Sequence, residues 1–486
     1  MRFPLIAYLV GSILRVFGTT LVAPIGVALF YGEGWDAIGF ALAGLTAICL
    51  GQASRHASGK ATSDLRRIEA LAAVAITWLS VALIGAIPYT WAGLPLIDSF
   101  FESMSGFTTT GATILSDFSI LGRGLLFWRS LTQWLGGMGV LILFVAILPR
   151  LAIGMRKFFF DQVLASTDER LTPHIRRTAS ILFRLYAALT LLEAVALRIA
   201  GMPLYDAVCH SMTTLAAGGF SPNPESIMGY QNPALEWIIC SFMFLAGANF
   251  ALQYLTLHGR IKALFGNDEF RAYTSIGILS ALLITLFIWQ NTEGDFFTAL
   301  RQGLFQALSI LTTTGYASAD YTQWNDQAQM ILLLLMFVGG CAGSAAGGPK
   351  VLRYLLISRY TLLELRRTLH PRAILSVKLG TKVVPDDVMR TVIVFFLFYF
   401  LTFALYVTII VGLGTDLVTG ITATIATLGN VGPGLNLVGP MSNYGHLHPV
   451  SKLVLTSAMW IGRLEVLTVL ALLRPEVWKT IHWKSS

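Results

Sequence analysis

The chain holds 486 residues, with 34 Lys and Arg against 26 Asp and Glu, a net charge of +8. Only 12% of residues are charged and 55% are hydrophobic, and the mean hydropathy is +0.68. A soluble domain carries about twice that share of charge, so the composition excludes a disordered chain, argues against a soluble enzyme and fits an all-α polytopic membrane protein. The basic residues fall in clusters between apolar runs rather than in one patch, which argues against nucleic acid as a partner. Cys49, Cys209, Cys240 and Cys341 stand singly, without metal-ligand spacing, and read as small buried residues.

In chain order, the apolar runs predict ten membrane spans: 5–31, 37–54, 68–92, 124–149, 177–200, 234–258, 272–290, 327–357, 388–412 and 450–473. The first has one basic residue before it and no small-residue cleavage site after it, so it reads as an uncleaved span. Alternate loops then sort by charge. Arg2, 55–67, 150–184, 260–271, 353–390 and 474–484 hold 26 of the 34 basic residues. Glu33, Asp36, Asp98, Asp117, Asp206, Glu225, Glu293, Asp295, Asp320, Asp326 and Asp416 mark the other side. The excess of Lys and Arg places the first set, and both termini, in the cytoplasm. The acidic outer face would concentrate cations.

Four short apolar segments lie between spans on the outer side and align without a gap: DSFFESMSGFTTTGAT (98–113), DAVCHSMTTLAAGGFS (206–221), QGLFQALSILTTTGYA (302–317) and DLVTGITATIATLGNV (416–431). The alignment superposes Gly111, Gly219, Gly315 and Gly429, a period of about a hundred residues that signals repeated architecture. Each segment is too short to span a bilayer. It reads as a half-helix, begun by Asp in three of four copies, followed by an extended return. Backbone of that kind at membrane depth must be enclosed by protein or water. Four such returns around one axis would replace an ion's hydration shell with carbonyl oxygens.

On these residues the chain resembles the superfamily of Trk, Ktr and HKT potassium transporters, most closely its Trk-type channel-forming subunits. The resemblance implies two leading helices and four parallel helix–pore-loop–helix repeats around a pseudo-fourfold pore. The division is 1–67 for the leading pair, then repeats at 68–152, 153–258, 259–358 and 359–486. It implies potassium as substrate and filter strands at Thr109, Thr110, Gly111 and Ala112; Ala217, Gly218, Gly219 and Phe220; Thr313, Thr314, Gly315 and Tyr316; and Thr427, Leu428, Gly429 and Asn430. It further implies a homodimer in the cytoplasmic (inner) membrane and a cytoplasmic nucleotide-binding regulatory subunit of the TrkA type. The chain itself shows no GxGxxG after a strand and no Walker motif, so no cofactor is expected on it. The inner residues Arg359, Arg366, Arg367, Arg372, Lys378 and Lys382 could dock that subunit, fix topology or meet lipid headgroups.

The eighth span is interrupted by GGCAGSAAGGPK (339–350). Gly339, Gly340, Gly343, Gly347, Gly348 and the following proline disfavour continuous helix. Two readings are open: a movable constriction below the third filter, matching the family's gating loop, or a small-residue helix interface. Lys350 could block the pore or begin the next helix. Arg463, in the last span, reads either as a positive barrier facing the cavity and bonded to loop carbonyls or as a structural arginine. Glu102 and His210 share a repeat position and are expected to bond within the protein rather than to ions. No HExxH and no base near Ser344 support catalysis. The rival function is a secondary transporter of another cation or a small solute.

Overall fold

A computed structural model describes residues 1–58, 66–118, 121–151, 171–291, 295–373, 375–380 and 382–478. The loop residues Lys60, Arg156, Lys157, Arg170, Glu293, Lys479 and Lys484 lie outside them. The described chain is helical, apart from one hairpin in which Lys378–Leu379 pairs antiparallel with Lys382–Val383. Among the described residues six helices are long and apolar enough to cross a membrane, and up to eight if each sharply bent pair is one span.

The leading pair, Phe3–Phe30 and Gly34–Ser58, packs through glycines one heptad apart. A Cβ on Gly11 would stand 2.6 Å from Gly51 O, and one on Gly18 2.9 Å from Gly44 O. Missing side chains let the two backbones close up, as small residues do between membrane helices. The pair then leans on the first repeat. Arg2 bonds the buried Glu69 at 2.6 Å, Trp35 stacks on Trp91, and Glu33 accepts the Arg123 and Gly124 N–H groups at the start of the next helix.

Each of the four repeats then has an outer helix, a short pore helix and an inner helix. The outer helices are Ile68–Trp91, Leu171–Ile199, Asp268–Asn291 and Asp386–Gly412. The pore helices are Leu96–Phe107, Leu204–Leu215, Phe296–Leu311 and Leu417–Leu428. Twelve residues in three of them and sixteen in the third repeat make about 18–24 Å of helix, too little for a hydrocarbon core of about 30 Å.

The inner helices differ from one another. Arg123–Leu151 runs unbroken for 29 residues. The pair Pro233–Gly247 and Phe250–Leu257 bends by 106°, and so does Pro449–Leu464 with Val466–Leu472. Sequence periodicity predicted these last two as continuous spans, and that expectation is corrected. Gly247-Ala248-Asn249 ends one helix and starts the next, because the Asn249 side chain accepts the Leu252 N–H. The other break falls at Glu465, at φ 68°. The third inner helix is Asp326–Met336, then a loop, then Val351–Leu369, so the glycine-rich interruption is a true break.

Candidate functional site: a ring of four pore loops

All four pore helices end alike. Main-chain N–H groups of Thr110, Gly218, Thr314 and Val431 reach back to the carbonyls of Ser105, Thr213, Ser309 and Ala426 at 2.8–2.9 Å. This is the Schellman closure, which places the preceding residue in the left-handed region. Here those residues are Thr109, Ala217, Thr313 and Asn430, at φ 50–57°. A side chain there costs about 1 kcal/mol each, and the same cost recurs at four equivalent places.

Two residues further on, each chain turns left-handed again at Gly111, Gly219, Gly315 and Gly432, with φ of 80°, 77°, 81° and 102°. The fourth glycine is therefore Gly432, not Gly429. Gly429 has an ordinary helical φ of −80° and caps the fourth pore helix, while Thr427 and Leu428 lie inside that helix. The sequence alignment slipped because it superposed acidic residues. Asp98 and Asp206 sit at the third helical position after Pro95 and Pro203, whereas Asp416 is the N-cap itself, accepting the Thr419 N–H at 3.0 Å. Asp is favoured at both places, and they are three residues apart. That same N–H holds the Asp416 carboxyl below its ordinary range. In the third repeat Gln302 is likewise mid-helix, and the cap position belongs to Asp295.

The four glycines close a ring. A Cβ on Gly111 would overlap the Gly218 carbonyl, one on Gly219 the Thr314 carbonyl and one on Gly315 the Val431 carbonyl. One on Gly432 would lie 2.6 Å from Thr110 O. Each loop thus abuts the next, and the fourth returns to the first. All four glycines line one cavity of about 60 Å³ that opens toward the outer loops. Side chains brace the ring from behind. Gln133 donates to Gly218 O at 2.7 Å and accepts the Phe220 N–H. Asn430 Nδ2 bridges Thr110 Oγ1 at 2.9 Å and Met459 O at 3.0 Å. Phe220 lies under the Arg129 guanidinium. The Tyr316 hydroxyl bonds His210 and Thr213 of the second pore helix. The Ala112 side chain is buried in the core. Glu102 and His210 both bond protein groups, as expected.

Below the ring lies the loop between Met336 and Val351. Its Gly347 N–H donates to Thr313 Oγ1 at 2.6 Å, and a Cβ there would stand 2.5 Å from Gly429 O. The loop therefore touches the undersides of the third and fourth pore loops. Gly339, Gly343, Gly348 and Lys350 take positive φ, and Gly340 fits against Gly247 O. Side chains and exposed main chain of other repeats hold the loop. Ala342 N–H donates to the buried Glu269 at 2.6 Å, and Asn249 donates to Ala342 O at 2.7 Å. Cys341 N–H reaches Gly247 O, one of the carbonyls freed by the bend at Ala248. Arg463 donates to Ala345 O at 3.1 Å, the loop-carbonyl contact expected of it. The Lys350 ammonium folds back onto Ala346 O. Arg353 grips Glu465 with two bonds of 2.8 Å.

Sequence reasoning missed Gly432, Gln133, Arg129, Asn249 and Glu269. A usable signal existed for one pair: Arg129 and Gln133 stand one helical turn apart inside an apolar run, and polar groups there mark a site by default.

A closed ring of re-entrant half-helices, set inside apolar spans, defines a membrane transport protein and not an enzyme. The sequence matches the TrkH family, described as cation transport protein, over residues 38–479, and the chain belongs to that family. It is 36% identical to the Trk system potassium uptake protein TrkH of Salmonella typhimurium, covering 99% of this chain and all of that one. It is 34% identical to the Trk system potassium uptake protein TrkG of Escherichia coli K12, over 98% of each. The crystal structure of the potassium transporter TrkH from Vibrio parahaemolyticus superposes with a TM-score of 0.90 at 34% identity, covering 98% of this chain and all of the other.

Proposed function

We propose that this chain carries potassium into the cell, with the ring at Gly111, Gly219, Gly315 and Gly432 as its selectivity filter. The observation that carries the reading is the cyclic contact of the four loops, each glycine against the main chain of the next repeat. Helix C-termini converge on the ring's inner side, where their partial negative charge favours a cation. Thr109 Oγ1, in the first pore loop, is buried with no hydrogen-bond partner among the described residues. The close packing keeps the ring from shrinking onto a smaller ion.

The loop below the ring acts as the gate. It lies across the inner side of two pore loops, with Arg463 and Lys350 as nearby positive charge against cation passage. A cytoplasmic nucleotide-binding subunit would act on it from the inner face, where Arg366, Arg372 and Lys378 are exposed. Arg359 and Arg367 are partly engaged by Asp268 and Glu364. The working form is a homodimer in the inner membrane, with both termini cytoplasmic. The five-part division of the chain follows the repeats.

The test is growth of a strain without potassium uptake systems, together with Rb⁺ and Na⁺ flux into vesicles. Rescue at low potassium, with Rb⁺ flux well above Na⁺ flux, is expected. Flux of neither ion, with uptake of another solute, would favour a secondary carrier.

A further inference from the structure

Behind each pore loop the chain returns outward, and three of the four returns are clipped in one way. A polar side chain on the pore helix accepts the N–H of the third residue after the ring glycine. Glu102 accepts from Ile114 at 3.0 Å and Thr422 from Leu435 at 3.1 Å; Gln306 accepts from Ser318 at 2.9 Å in the amide orientation that gives both its oxygen and its nitrogen partners. The clip residue stands nine, nine and ten positions before its glycine. In the second repeat the corresponding residue is Pro222, which has no N–H to give. Its pore-helix residue, His210, bonds Tyr316 and Tyr230 and meets the return only through the Ser221 side chain, at 3.5 Å.

The second return is held from the first repeat. Arg129 is buried and bonds the equally buried Glu102 at 2.8 Å. Its other nitrogens reach Ser221 O at 3.2 Å and Thr113 Oγ1 at 3.3 Å. Its guanidinium lies 4.1 Å above the Phe220 ring. Phe220 and Ser221 directly follow Gly219. One ion pair therefore fixes the strands behind two adjacent ring glycines. Arg129 lines the cavity above the ring, where a lone positive charge would repel cations, and Glu102 neutralises it.

We propose that Arg129 and Glu102 are positioning residues for ion selectivity, setting the separation of the first two pore loops in place of the main-chain clip that Pro222 removes. The proposal rests on the ring being the filter. A planar guanidinium can bond a carboxylate, a carbonyl and a hydroxyl while stacking on a ring; an ammonium cannot do all four.

The experiment uses the full chain in proteoliposomes, reading the Rb⁺ to Na⁺ flux ratio beside folded yield and melting temperature. Arg129→Lys should lower the ratio about tenfold, the factor that one charge-assisted hydrogen bond corresponds to. If that variant does not fold, Glu102→Gln carries the test, since it keeps an acceptor for Ile114 and loses only the charge facing Arg129. Arg301→Lys is the control: its pair with Glu236, at 2.9 Å, is outside the ring, so stability should move and the ratio should not. An unchanged ratio in folded Arg129→Lys and Glu102→Gln, while Gly432→Ser alters it, would overturn the proposal alone. An unchanged ratio in Gly432→Ser as well would overturn the filter reading beneath it.

Discussion

The ring and the loop beneath it are both irregular backbone at membrane depth, yet they are closed in different ways. The ring closes main chain against main chain, with Gln133, Asn430 and Arg129 bracing it from behind. Its glycines meet carbonyls of the next repeat and its strands continue from Schellman closures, contacts that no rotamer change relaxes. The inner loop has main-chain bonds to the second repeat at Ala246 and Gly247, but its contacts with the first helix of its own repeat, with the pore loop above and with the last helix are single side-chain hydrogen bonds involving Glu269, Thr313 and Arg463, and Asn249 adds another. Each such bond is worth about 1 kcal/mol net and can be exchanged for water. Main-chain packing suits a part that must keep its dimensions, and exchangeable side-chain bonds suit a part that must move.

Substitutions can break or sharpen that contrast. The largest effect is expected from Gly219→Ala, whose methyl would overlap the Thr314 carbonyl in a ring that cannot yield. Loss of Rb⁺ over Na⁺ preference, or of folded protein, is expected, and flux and yield in proteoliposomes check it. Next comes Arg463→Ala. It releases Ala345 O and removes positive charge under the ring, so basal flux should rise several-fold with the ion preference kept; a fall in flux at full folded yield would count against the gate. Thr313→Val should act in the same direction and more weakly, by a few-fold, because it deletes one hydrogen bond to Gly347. Thr313→Ser should behave as the parent. The smallest effect on flux is expected from Gly51→Leu, which forces apart the leading helices. It should cost about 1–3 kcal/mol of stability, read as a lower melting temperature, and leave the flux ratio untouched.

The sequence made the architecture legible because apolar span lengths, loop charge and a hundred-residue repeat are direct consequences of membrane insertion. Three ring glycines and the broken eighth span were readable for the same reason: a run such as 339–350 cannot remain helix. The fourth glycine was not, because GNVGPG offers three candidates, Gly429, Gly432 and Gly434. The Asp that anchored the alignment also serves equally well at two helix positions three residues apart. Leu428, four residues before Gly432 as Phe107 is before Gly111, was the better anchor. The bend at Glu465 has no glycine or proline at the break, and the bond Glu465 makes there to Arg353 is tertiary. The Glu102–Arg129 pair joins two helices across a turn that no periodicity encodes.

The most direct measurement compares Gly432→Ala with Gly429→Ala in the same vesicle assay of Rb⁺ and Na⁺ flux. A methyl at 432 meets Thr110 O at 2.6 Å across the ring and must be carried at φ 102°. A methyl at 429 keeps a helical φ and meets Ile425 O of its own helix at 2.8 Å and Met336 O at 3.1 Å, neither of them across the ring. The ring predicts that Gly432→Ala collapses the flux ratio toward one while Gly429→Ala leaves it near the parent value. The reverse order, with Gly432→Ala selective and Gly429→Ala not, would contradict a ring closed through Gly432.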